Sequence, residues 1–163
     1  MKSTLNSLTD PQLKAPELST SSWFNTSQDP SIEKLKGQVI LLHAFQMLCP
    51  GCVCHSIPQA KSFAELFAKD DFQMLGIHTV FEHKEVMTPA ALEVFLDEYQ
   101  IHFPVAVDLQ REGERIPATM QDYNMRGTPT CVLIDKQGFI RAHTLGQVRD
   151  DLLASQIGYL LAE

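Results

Sequence analysis

Val39-Ile40-Leu41-Leu42-His43-Ala44-Phe45 is a run of seven residues with a single polar side chain. Successive side chains of a strand point to opposite faces, so a run apolar at odd and even positions alike must be covered on both sides. It falls far short of the roughly 18 apolar residues that a membrane span requires. The run therefore demands a central strand in a sheet with helices on both faces, and the rest of the chain carries matching parts. Residues 72–80 read as a second central strand, and residues 60–68 as a helix with Ala60, Phe63, Ala64 and Phe67 on one face. Thr88 caps a further helix that has Pro89 at its first position and an apolar stripe of Leu92, Phe95, Leu96 and Tyr99. Residues 103–108 form a short strand placed near an edge by Pro104, which has no N–H to give. Residues 117–123 suit a short helix. Residues 130–135 and 139–143 form a hairpin about Lys136-Gln137-Gly138, and a last helix buries Val148, Leu152, Ile157 and Leu160. Residues 22–25 read as an edge strand and residues 31–37 as one helical turn ended by Gly37. This order predicts an α/β protein: a central mixed β-sheet flanked by helices on both faces. With 163 residues, 44% of them apolar, one domain over residues 1–163 is expected. Residues 1–20, polar and holding Pro11 and Pro16, are expected to be a loose N-terminal arm.

The formal charge is −7, and no cluster of Lys or Arg offers a surface for phosphates. A nucleic-acid partner or an anionic membrane surface is not expected. The first ten residues lack the apolar core of a secretory signal, so a cytoplasmic location is the expectation.

Four cysteines remain to be explained: Cys49, Cys52, Cys54 and Cys131, three of them within six residues. Such crowding points to catalysis or metal binding rather than to a framework of structural disulfides. Cys49-Pro50-Gly51-Cys52 follows the buried strand and opens a helix. There, unpaired backbone N–H groups and the helix dipole favour a thiolate on the first cysteine. The second, one turn further in, lies close enough to resolve a mixed disulfide. Cys49 is thus the expected attacking sulfur and Cys52 the resolving one. Cys54 and Cys131 read as core residues, His55 as a helix-face residue, and His78 and His83 as structural or solvent-facing residues with a place at the rim of the site as the alternative.

The chain resembles the thioredoxin-like superfamily, and within it the TlpA-like and redoxin thiol-disulfide oxidoreductases. The resemblance rests on residues 35–42 running into Cys49-Pro50-Gly51-Cys52, on Gly76-Ile77-His78-Thr79, and on Gly127-Thr128-Pro129-Thr130 followed by residues 134–140. It implies a thioredoxin-like fold, and exchange with protein or low-molecular-weight disulfides supplied with electrons by a reducing thiol system. No cofactor and no metal are implied. It also implies a cis Pro129 facing the cysteines, with Thr128 and Pro129 as a seat for substrate. The position six before the first cysteine, commonly Asp or Asn in these proteins, is His43 here, a candidate proton acceptor for Cys52. Leu48 stands where Trp is usual. The helix-kinking proline usually lies five residues after the second cysteine, whereas Pro58 lies six after Cys52. Either the helix start carries an extra residue, or Pro58 is not that kink. Two other functions stay open. A redoxin-type thiol peroxidase would place Thr and Pro where Gln46 and Leu42 stand. A non-catalytic module would hold a metal through Cys49, Cys52, Cys54 and His55.

Overall fold

A computed structural model of the protein describes residues 8–67 and 70–163. Seven strands form one sheet in the order β1-β7-β6-β3-β4-β5-β2. β3 (Val39–Phe45) lies at its centre and is buried at all seven positions. It runs parallel to β4 (Phe72–His78), which runs parallel to β5 (Val105–Asp108). β6 (Thr130–Ile134) pairs antiparallel on the other side of β3. β7 (Phe139–Leu145) follows through the expected hairpin, whose Gly138 adopts φ +88°. β2 (Thr20–Phe24) covers β5 as the edge strand expected at residues 22–25, and β1 (Leu13–Lys14) covers β7.

The alternation of β3 divides the core. Val39, Leu41 and Phe45 pack with α1 (Ile57–Leu66), α2 (Pro89–Glu98) and α4 (Asp150–Ala162). Ile40, Leu42 and Ala44 pack with Ile32 and with Met120 of α3 (Ala118–Asp122). Thr88 caps α2 as its sequence indicates, its hydroxyl accepting from the Ala91 N–H at 3.2 Å. α4 buries Leu153 rather than Leu152, together with Ile157 and Leu160. The helix expected at 60–68 begins earlier, at Ile57, and the expected position Ala68 lies outside the described residues.

The expectation of a loose arm does not hold from Thr9 onward. β1 pairs with β7, Tyr123 donates its hydroxyl proton to the Pro16 carbonyl at 2.6 Å, and Glu17 accepts the N–H groups of Ile32 and Glu33. This stretch meets the fold through backbone and carboxylate hydrogen bonds, with Leu8, Ala15 and Leu18 partly buried against the core. Residues 1–7 of that arm lie outside the described residues.

Arg141 fastens this region. Its guanidinium donates to Asp135 at 3.2 Å, to the Glu163 side chain at 2.6 Å and to the Thr9 carbonyl at 2.7 Å. Arg141 and Asp135 are both buried. A buried ion whose partner is removed is strongly destabilising. Arg141→Met is therefore expected to lower unfolding stability by about 3–5 kcal/mol in urea titrations. Arg141→Lys should recover only part of this, because an ammonium does not reproduce the planar fork. A loss below about 1 kcal/mol for Arg141→Met would show that the cluster is not holding this end of the sheet.

Candidate functional site

The parallel strands β3, β4 and β5 deliver the segments that follow them to one edge of the sheet. Residues 46–52 leave β3 there. The Cys49 N–H donates to the Gln46 carbonyl at 3.1 Å, the Met47 N–H donates to His78 Nε2 at 3.2 Å, and Val53 N–H donates to the Cys49 carbonyl at 3.1 Å. Cys49 is half-buried and Cys52 fully buried. Their sulfurs are 2.6 Å apart as free thiols, Cys52 donating to Cys49, and the Cys52 N–H also points at the Cys49 sulfur at 3.3 Å.

Thr128 and Pro129 close the site from the other side. The Thr128–Pro129 peptide is cis, and the Cys49 thiol donates to the Thr128 carbonyl at 3.5 Å. A Cβ added to Gly51 would lie 3.5 Å from Pro129 Cδ, so the proline ring packs on the cysteine loop. Leu48, next to Cys49 in the chain, is exposed, and so is Leu145, which pairs with Thr130 across the sheet.

Burial pushes the Cys52 thiol up to about 12, with the hydrogen bond to Cys49 acting in the same direction. Hydrogen bonds from the Gln46 backbone and the Thr128 side chain act the other way. His43 lies on the core face that carries Phe45 and Cys52. It is 3% exposed and its ring stacks on Phe45 at 5.7 Å. Its neighbours across the sheet are Cys131 on β6 and Gly76 on β4. Among the described residues neither ring nitrogen has a hydrogen-bond partner. Burial lowers its pKa to about 4, so the ring is neutral near pH 7.

The helix start resolves the position of Pro58. Cys52–Ser56 form a π-helical turn, closed by the Ile57 N–H on the Cys52 carbonyl, before α1 continues in α geometry. The additional residue is thus taken up at the helix start. In an α-helix, five residues advance by about 500°, which would leave Ile57 roughly 140° away from Cys52. The wider i→i+5 turn brings both to the buried side.

One expectation is corrected here. Cys54, expected in the core, is exposed, as is His55. The possible metal set of Cys49, Cys52, Cys54 and His55 does not converge. Among the described residues no group of three or more His, Cys, Asp or Glu side chains is placed to hold a metal ion. Cys131 packs against the core as expected, and burial pushes its thiol up to about 12. His83 is exposed, whereas His78 is buried and holds the Met47 amide. Gln46 is the residue beside the cysteines to which sequence reading assigned no role, and His78, read as structural with the rim of the site as the alternative, holds the loop that leads to them. The polar break of Gln46 after an apolar strand was a signal for the first, but its partners are 35–82 residues away in sequence.

A mixed sheet covered on both faces, with a thiol pair at a helix start opposite Pro129, defines a thioredoxin-like protein. The Redoxin family profile matches residues 12–160, and the chain belongs to that family. It is 51% identical to a thioredoxin-like superfamily protein of known structure, covering 93% of this chain and 98% of that one, with a TM-score of 0.91. It is 48% identical to a thiol-disulfide isomerase from Corynebacterium glutamicum, covering 91% and 97%, with a TM-score of 0.87. The thiol-disulfide oxidoreductase ResA of Bacillus thuringiensis is 27% identical over 129 residues. That stretch is 79% of this chain and 65% of the length of that relative.

The two buried histidines make stability depend on pH. Burial lowers the pKa of His78 to about 4 as well. Each histidine takes up its proton more readily in the unfolded chain, near 6.5, so its contribution is complete above that pH and is lost as pH falls toward 4. Between pH 7 and pH 5 each should cost roughly 2 kcal/mol of stability. Denaturant titrations at both pH values should show this loss shrinking by about that amount in His43→Leu. An unchanged pH dependence would contradict a buried neutral His43.

Proposed function

We propose that this chain is a thiol-disulfide oxidoreductase in which Cys49 attacks and Cys52 resolves. The observation that carries the reading is the approach of the two sulfurs to 2.6 Å, with Cys52 beneath and Cys49 partly open to solvent. The names of the ResA relative and of the Corynebacterium isomerase support the same chemistry.

In the reducing direction, the Cys49 thiolate attacks one sulfur of a substrate disulfide. The substrate S–S bond breaks, and the departing thiolate takes up a proton. Cys52 then loses its proton and attacks the Cys49 sulfur, releasing the second substrate thiolate and leaving a Cys49–Cys52 disulfide. Two electrons pass to the substrate, and an external dithiol restores the pair. The Thr128 backbone beside Cys49 is the seat for an extended substrate segment, and Pro129 fixes the wall behind it.

Cys52 is hard to ionise where it stands, so the second step needs a proton acceptor. His43 fills that place as a neutral base in the layer behind the pair. An unpartnered buried imidazole costs stability of its own, of order 1–3 kcal/mol. That makes the role separable from packing, because an apolar replacement removes the cost along with the base.

Redox titration against glutathione, with mass spectrometry of the oxidised protein, should find a single Cys49–Cys52 bridge. Cys52→Ser should trap mixed disulfides on Cys49 and Cys49→Ser almost none. A bridge made mainly to Cys54 or Cys131 would refute the assignment. For His43, stopped-flow exchange across pH 6–9 should show His43→Leu slowing resolution most at low pH. The deficit should shrink toward pH 9, where Cys52 ionises more readily unaided, while unfolding stability at pH 7 stays level or rises. Parallel pH profiles would leave His43 as packing alone.

A further inference from the structure

The segment that follows β4 leaves the sheet at the edge where the cysteines stand, and it is held there at both ends. The Phe81 N–H donates to Gln46 Oε1 at 3.2 Å, and the Glu82 carboxylate accepts from Gln46 Nε2 at 3.4 Å. Further on, the His83 carbonyl accepts the N–H groups of Val86 and Met87, and Met87 is buried. Gln46 is itself 1% exposed, and its amide has one orientation: the oxygen faces the Phe81 N–H, so the nitrogen faces the carboxylate. That same nitrogen donates to Thr128 Oγ1 at 3.5 Å, and the Thr128 carbonyl accepts from the Cys49 thiol at 3.5 Å. One amide nitrogen therefore lies between the Glu82 carboxylate and the residue against which Cys49 rests.

The charge so placed is not neutralised. Glu82 is exposed, and among the described residues it forms no ion pair. Lys84 donates its ammonium to the Arg115 carbonyl at 3.0 Å. Arg126, exposed just before Thr128, forms no ion pair among the described residues either. A fixed, uncompensated carboxylate attracts cations and repels anions within about 10 Å at 0.1 M salt.

We infer that Glu82 is a specificity-determining residue: its carboxylate, held beside the Thr128 seat, selects disulfides that carry positive charge next to their sulfurs and disfavours anionic ones such as glutathione disulfide. The inference rests on the reading of Cys49 as the attacking thiol and Thr128 as the seat. It makes the substrate class a disulfide flanked by ammonium or guanidinium groups.

The test mixes reduced protein at pH 7 with cystamine (cationic), hydroxyethyl disulfide (neutral) or glutathione disulfide (anionic). Acid quench and mass spectrometry follow the Cys49–Cys52 bridge. In each reaction the protein dithiol gives two electrons, the added disulfide becomes two thiols, and the protein keeps the bridge. Rates with the charged disulfides are divided by the rate with the neutral one, so a defect in folding or in the dithiol itself cancels. At a separation of about 8 Å near a surface, one unit charge changes a rate about threefold. Glu82→Gln keeps a side-chain carbonyl for the Gln46 amide and removes only the charge. Its relative rate should fall about threefold with cystamine and rise about threefold with glutathione disulfide, so the ratio of the two falls about tenfold. Glu82→Lys should lower that ratio by about a further tenfold, and Glu82→Asp should retain most of it. In 1 M salt, where screening shortens to about 3 Å, the ratio of the unaltered protein should approach that of Glu82→Gln.

A Glu82 that matters only for structure would slow all three disulfides alike and leave the ratio unchanged, and that result overturns the inference. So does Glu85→Gln, an exposed carboxylate of the same segment, if it moves the ratio as far as Glu82→Gln, because the net charge of the chain would then suffice. Unaltered protein that reduces none of the three disulfides refutes the oxidoreductase reading, and the inference with it. Reduction of all three with a ratio untouched by Glu82→Gln refutes the inference alone.

Discussion

The burial of β3 on both faces is the constraint from which the site follows. A strand with no wet face must be flanked by strands on both sides and by packed layers above and below. β4 and β6 supply the first, and α1, α2, α4 and the α3 region supply the second. The parallel crossover from β3 to β4 places α1 over the sheet. The connection that starts that helix carries the two cysteines. The antiparallel return through β6 brings Thr128 and Pro129 to the same end of β3, because they immediately precede its first residue. The dithiol and its opposing wall are therefore the two sides of one central strand's exit.

The exit loop is held by polar groups that the core must tolerate. His78 gives a ring nitrogen to the Met47 amide, and Gln46 spends its side chain on residues 81, 82 and 128. Buried groups satisfied in this way order a backbone at small net cost. His43 is the exception on the same face, with no partner at either nitrogen. A core that keeps such a group at its centre forgoes stability that an apolar side chain of the same volume would supply, a pattern commoner at functional positions than at structural ones.

The elements legible in the sequence were those set by local pattern. The seven-residue run gave β3, Thr88-Pro89 gave the start of α2, and Gly138 marked the hairpin. The cysteine spacing and the segment around Pro129 marked two stretches that the fold brings together at one end of β3. What stayed hidden depends on contacts between distant residues. The attachment of β1 and the Arg141 cluster joins residues up to 132 apart, and no periodicity records that. Gln46 stood out as a mismatch with a peroxidase pattern and as a polar break after an apolar strand, but its partners come from two other loops. Cys54 was read as core because a small thiol is usually buried, but it leaves the turn Cys52–Ser56 toward solvent.

That stretch has a consequence for how a fold like this one tolerates change. A residue gained in an α-helix ordinarily rotates everything beyond it by about 100°, throwing the apolar face of the helix toward water. Here the surplus is absorbed within the single turn Cys52–Ser56, and Ile57, Ala60 and Phe63 still meet the sheet. The turn works as a phase adjuster between the reactive end of the helix and its anchoring end. Length variation confined to it would re-aim the side chains that leave the turn, Val53, Cys54 and His55, while the scaffold beneath kept its packing. The chemistry at the mouth of the site and the stability of the sheet are thereby mechanically decoupled at one point in the chain.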